Sequence, residues 1–245
     1  MKKMSFTLII LLLTFSVFPQ IGELPPQNAM VVRTQDEVLE ENEIMSRYLR
    51  GVYEPKPTAI EGSQFLIDEY TPSLLYFKGK EPLHALVRYN VANEVMEVLI
   101  ENQNYILEDA VDVQMGDRLY KKLSYRDNAG NLKLGYFRII PGEAETNELT
   151  LLEKPLKKVR PGEVAGAMRP VVNPLYVDRT DLFIRVGESN YAQPVDRSTK
   201  KFLQLFPKEH RSKVKSFMKE KGLNSRTTED VQQVITFYNT IKSGS

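Results

Sequence analysis

The chain has 245 residues, 42% hydrophobic and 27% charged, the proportions of an ordinary globular protein, which exclude wholesale disorder and a fibrous repeat. Its formal net charge is +1 and becomes about −1 if Lys2 and Lys3 leave with a leader, so there is no whole-protein attraction to nucleic acid. The absence of cysteine excludes disulfides, thiolate catalysis, thiolate zinc sites and a lipidated N-terminal cysteine.

The opening MKKMSFTLIILLLTFSVFPQ sets two lysines before an apolar run from Phe6 to Phe18, the n-region and h-region of a secretory signal, which predicts a signal peptide over 1–22. The run is shorter than the ~20 residues that span a bilayer. No later stretch approaches it, so the mature chain is expected to carry no transmembrane span. Residues 23–59 read as a proline-bearing linker and a short helix, predicted over Asp36–Leu49 from the spacing of Val38, Leu39, Ile44, Met45 and Tyr48, with Gly51 as its stop.

From residue 60 to 195 the texture changes to short β-like runs separated by Gly, Pro and Asn. Strands are predicted at Gln64–Ile67, Leu74–Phe77, Leu83–Tyr89, Val95–Ile100, Tyr105–Leu107, Val111–Val113, Arg118–Leu123, Leu132–Ile140, Leu149–Leu152 and Leu182–Val186. Their close spacing, with no helices between them, implies antiparallel pairing in a sandwich, roll or barrel. No glycine-rich phosphate loop is present, and a parallel nucleotide-binding sheet does not fit. Asp127-Asn128-Ala129-Gly130-Asn131 and Gly187-Glu188-Ser189-Asn190 mark two hairpins. The prolines from Pro155 to Pro174 suggest a long irregular crossing between them.

After Val195 the period becomes helical. Ser198 or Thr199 starts a short helix through Phe206, Pro207 opens a second that stops at Gly222, and Thr227 with Asp230 caps a third whose apolar face is Val231, Val234, Ile235, Tyr238 and Ile241. Residues 196–245 thus form a helical C-terminal segment. Overall the fold class is α+β, mainly β.

Catalytic chemistry is poorly supplied. His84 and His210 have no carboxylate or second imidazole at ligand spacing, so neither a triad nor a metal site is expected. Glu108, Asp109, Asp112 and Asp117 give only a weak calcium signal, as does the Asp127 turn, which lacks the spaced carboxylates and terminal Glu of a calcium loop and is what a hairpin needs. No cofactor is implied. The one charge asymmetry is the basic stretch from Arg197 to Arg226, within which Lys208, Arg211, Lys213, Lys215 and Lys219 are the candidate contacts for an anionic surface such as lipid headgroups or polysaccharide. An export signal removes the protein from cytoplasmic nucleic acid.

The run from Glu81-Pro82-Leu83 through LVRYNVANEVMEV, the strands NYIL and GYFRII, and the tail FLQLFPKEHRSKVKSFMKEKGLN with EDVQQVITFYN together resemble a group of exported proteins of Bacteroidota, over about residues 65 to 241. The resemblance implies an envelope location and a β-then-helical layout, and transfers no catalytic residue. The expectation is therefore a non-enzymatic binding or structural module, periplasmic, outer-membrane-associated or secreted, whose partner is an envelope protein or an anionic surface. The alternative is a hydrolase acting on envelope polymers or glycans.

Overall fold

A computed structural model describes residues 45, 47–52, 59–108, 111–127, 129–140, 148–163 and 172–243. The predicted signal peptide, and most of the linker and of the helix expected over Asp36–Leu49, lie outside these residues. Eleven strands form a single sheet among the described residues: β1 Leu49–Val52, β2 Thr71–Tyr76, β3 Leu83–Asn90, β4 Val95–Ile100, β5 Gln103–Leu107, β6 Asp112–Met115, β7 Arg118–Arg126, β8 Leu132–Ile139, β9 Leu149–Arg160, β10 Leu175–Val186 and β11 Ala192–Pro194. The spatial order is β1-β5-β4-β3-β2-β6-β7-β8-β9-β10-β11, and every strand pair is antiparallel. The mainly-β fold class expected from the sequence is the one found.

Two sequence expectations are corrected at the start of the described chain. Gly51 does not stop a helix but lies in β1, which pairs with β5 through Leu49 and Leu107. Gln64–Ile67 is no strand; only Phe65 bridges Asn90, while the Leu66 amide donates to the Tyr89 carbonyl at 2.9 Å.

Connection length shows that the sheet curls. β5 and β6 are four strand intervals apart, about 19 Å if the sheet were flat. The residues between Leu107 and Asp112 reach roughly 17 Å at full extension. The sheet therefore bends around an apolar interior, where Val87, Tyr89, Met96, Val98, Leu107, Val111 and Val113 are buried. A second curl closes β7–β11. Tyr191, beside β11, bridges Ser124 of β7, whose amide donates to the Asn190 carbonyl at 2.8 Å.

The stretch LVRYNVANEVMEVLI forms β3, a four-residue turn and β4. Alternation along β3 sends Val87 and Tyr89 to the interior and Arg88 and Asn90 to the other face. The one charged residue of β4, Glu97, is fully buried. It accepts from Arg88 Nη2 at 2.6 Å and Asn90 Nδ2 at 3.0 Å. Arg88 in turn lies between the rings of Phe65 and Tyr70, 3.7 and 4.5 Å from their centroids, so the buried charge is neutralised and its cation is held flat.

β9 and β10 are longer than the sequence suggested. All twelve residues of each are paired, from Val186 opposite Leu149 to Leu175 opposite Arg160. Their outer halves form a two-stranded ribbon with much of its surface exposed, so no apolar alternation marks them. Pro155 is tolerated because β8 has already parted from β9: their register holds only Arg138 opposite Glu153 and Ile139 opposite Leu152.

The helical segment is α1 Thr199–Phe202, a 3-10 turn Leu203–Leu205, α2 Lys208–Lys221 and α3 Thr228–Ser243. Gly222 ends α2 in the left-handed conformation at φ 67°, as a glycine after a helix should. The Thr227 hydroxyl accepts from the Asp230 amide at 3.3 Å, but the Asp230 carboxylate turns to Asn224 instead of closing the capping box. The helices share one core with the sheet. Phe202, Phe206, Val214, Val231, Val234 and Tyr238 pack with Leu149, Leu151 and Ile184, and Asn239 both donates to and accepts from the Leu149 backbone, at 2.8 and 3.0 Å.

Candidate functional site

Two features stand out, the basic helix and a charged cleft. On α2, Val214 and Met218 are buried, which turns the rest of the helix outward. Lys208, Lys213, Lys215 and Lys219 are exposed. Lys208, Lys215 and Lys219 fall at helical repeat spacing and form one stripe, with Lys213 on another side. Arg211 is different: half-buried, it donates from Nε to the Phe206 carbonyl at 2.8 Å and from Nη2 to the Gln204 carbonyl at 3.1 Å. Its guanidinium closes the 3-10 turn onto α2 and does not belong to an outward contact surface.

The cleft was not legible from the motifs. It encloses about 560 Å³ between the end of β7, the middle of β9 and β10, Pro194 at the end of β11 with residues 195–197 beyond it, and Ser225-Arg226 before α3. At its floor, Lys154 is buried, 1% exposed. Period two places it in the inward row of β9 with Thr150 and Leu152, both buried, where an apolar residue would normally sit. Its ammonium pairs with Glu94 Oε2 at 3.0 Å and lies 4.6 and 5.2 Å from the ring centroids of Tyr125 and Phe137. The Tyr125 hydroxyl donates to Glu94 Oε1 at 2.9 Å. Glu94 comes from the β3–β4 turn, where its backbone is held at φ 57°, a conformation that non-glycine residues seldom adopt.

Gly135 of β8 makes this cluster possible. A Cβ there would lie 2.6 Å from Lys154 Nζ, 2.8 Å from Glu94 Oε2 and 3.1 Å from Tyr125 Cε1. The parting of β8 from β9 is thus filled at its inner end by the Glu94–Lys154 pair, which ties β9 to the β3–β4 turn. Burial lowers the Lys154 pKa, opposed by the Glu94 charge. Burial, with Glu94 adding to it, raises that of Tyr125.

Ion pairs account for the cleft's carboxylates. Asp181 holds Arg179 through Nη2 at 2.6 Å. Asp127 accepts from the Ala129 and Asn131 amides, both at 2.9 Å, and meets Lys133 Nζ at 3.3 Å. Asp196 accepts from the Ser198 amide at 2.7 Å and meets Lys201 Nζ at 3.3 Å.

The residues weighed for other chemistry sit apart. His84 is exposed on β3, and His210 stands edge-on to Tyr238 at 5.7 Å. Glu108 pairs with Arg50 at 3.0 Å and Asp112 with Lys121 at 2.5 Å; Asp109 lies outside the described residues. Among the described residues no three His, Cys, Asp or Glu side chains are grouped to hold a metal, and no helix is long and apolar enough to cross a membrane. Comparison of the chain with protein-family models, curated proteins and solved structures yields no match, so the reading of its function rests on geometry.

Proposed function

We propose that the protein is an exported binding module of the cell envelope that docks on an anionic surface through α2. The observation that carries this reading is the stripe of Lys208, Lys215 and Lys219, exposed and without an ion-pair partner among the described residues. Lysines left unpaired on the outer side of a packed helix add to solubility, but a row of them also matches a row of headgroup or polysaccharide charges. Each lysine close to an anionic bilayer contributes about 1 kcal/mol, so the stripe supplies about 3 kcal/mol, on the order of a hundredfold in affinity.

Co-sedimentation with vesicles tests this. Vesicles containing phosphatidylglycerol should retain the protein at low salt and release it as salt rises, while purely zwitterionic vesicles should not retain it. Changing Lys208, Lys215 and Lys219 together to Glu should abolish retention. Equal retention of the variant would refute the docking surface.

A second reading, a hydrolase acting on envelope polymers, draws on Tyr125 and Lys154, buried beside a cleft and joined through Glu94, because perturbed titratable groups in clefts are often catalytic. It ranks second because the charges already offset one another: Lys154 is neutralised by Glu94, and Tyr125 has its proton engaged on the same carboxylate. Turnover of an envelope glycan by the wild type but not by Lys154→Met would reverse this ranking.

A further inference from the structure

We infer that the cleft above Lys154 is a binding site for a small organic monoanion, a carboxylate carried on a ring or a short peptide body. This goes beyond docking through α2, whose lysines are not part of the cleft wall. Three observations carry it.

The first is charge. Arg126, Lys154, Arg179, Arg197 and Arg226 line the cleft, against Asp127, Asp181 and Asp196. A fourth carboxylate, Glu94, stands behind Lys154. Asp127 and Asp196 are paired besides with Lys133 and Lys201, so the cleft keeps a net positive charge that favours an anion. Lys154, Arg179 and the three aspartates are engaged with partners of their own, and Arg126 donates to the Gly130 carbonyl at 2.7 Å. The cations left for a ligand are Arg197 and Arg226, exposed and without a side-chain partner among the described residues. Guanidinium groups are the side chains best shaped to take a carboxylate in paired hydrogen bonds.

The second is a buried donor. Ser225 is 2% exposed, forms part of the cleft wall, and its hydroxyl has no hydrogen-bond partner among the described residues. Buried hydroxyls are rarely left so, since each unmade bond costs stability. The hydroxyl oxygen has almost no solvent-accessible surface, so an acceptor of a ligand seated beside Arg226 would complete it once the wall yields enough to admit contact.

The third is size and lining. A volume of about 560 Å³ exceeds what a bare ion fills and falls in the range of small-molecule sites. Phe183, Leu156 and Val195 give the walls apolar surface, which suits the body of a sugar acid or the last residues of a peptide and leaves a bare anion poorly covered.

Titration calorimetry on the whole protein with four probes decides the matter: glucuronate, acetyl-alanyl-alanine with a free C-terminus, methyl glucoside and inorganic phosphate. Saturable one-to-one binding of either acid, with methyl glucoside and phosphate much weaker, supports the assignment, and the better acid identifies the source of the carboxylate. In the Arg197→Ala, Arg226→Ala double variant, whose lost side chains are exposed, affinity for that acid should fall about tenfold or more. Ser225→Ala should weaken it further, whereas the three-lysine variant of α2 should bind it unchanged. Failure of both acids to bind, tighter binding of phosphate, equal binding of methyl glucoside, or indifference to the arginine variant would each overturn the proposal. None of these outcomes bears on vesicle docking, so the two readings fail separately.

Discussion

Gly135 shows how one backbone position sets a buried cluster. Gly135→Ala would drive a methyl group into Lys154 and Glu94, and overpacking at that point should cost about 2 kcal/mol in chemical denaturation. A double-mutant cycle of Glu94→Gln and Lys154→Met should give a coupling energy of about 1 to 3 kcal/mol; additive losses would show that the pair is not linked. At Glu97 the loss should be larger. Glu97→Leu strands Arg88, 15% exposed, without its buried counter-charge, and should cost about 3 kcal/mol. Glu97 is visible in the sequence as the one charge in an otherwise apolar strand, and the strands expected at Leu83–Tyr89 and Val95–Ile100 are found as β3 and β4. Lys154 was equally visible as a residue but not as a site. A lysine between Glu153 and Pro155 looks like ordinary surface charge until the strand is known to continue through it and the Glu94 turn, far away in sequence, is known to meet it.

Elements with dense apolar runs bounded by turn residues, or with a helical repeat, were the legible ones. β4 and β8 were found within a residue or two from such runs and α3 from its repeat, and the Asp127 turn joined the expected strands. The outer halves of β9 and β10 have solvent on both faces, so periodicity carries no signal there, and the prolines at positions 155, 161 and 174 pointed toward irregular chain. Inside the helical segment, pattern could not separate Arg211 from the lysines around it, because backbone capping depends on where the 3-10 turn ends. Thermal unfolding separates the roles. Arg211→Ala should lower stability by about 1 to 2 kcal/mol through its two lost charged hydrogen bonds, while Lys208→Glu with Lys215→Glu and Lys219→Glu should leave stability nearly unchanged and remove only binding. Equal destabilisation by both variants would mean that the stripe is structural.

At the scale of the whole molecule, a sheet curled around two interiors and backed by helices buries much of the protein's tyrosine. Burial raises the pKa of Tyr70, Tyr89, Tyr120, Tyr125, Tyr136 and Tyr238 above 10.0. These groups are neutral in both states below the unfolded pKa, and above it the unfolded chain ionises first, so stability is lost as pH rises past about 10. The depressed Lys154 acts in the opposite sense, since unfolding takes up a proton below its free value, but one lysine is outweighed by six phenols. Phenolate absorbance should therefore rise in two steps, exposed tyrosines first and buried ones only with loss of the fold. That long-range closure of the sheet was not readable from strand lengths; it rests on the short β5–β6 connection and the Tyr191 bridge to β7, both properties of three-dimensional pairing. The central claim, that the helical end of this β-rich protein meets an anionic surface, is tested most directly by hydrogen–deuterium exchange on phosphatidylglycerol vesicles. Slowed exchange confined to Lys208–Lys221 and its immediate neighbours is expected; protection on β1–β6, or none anywhere, would contradict docking through α2.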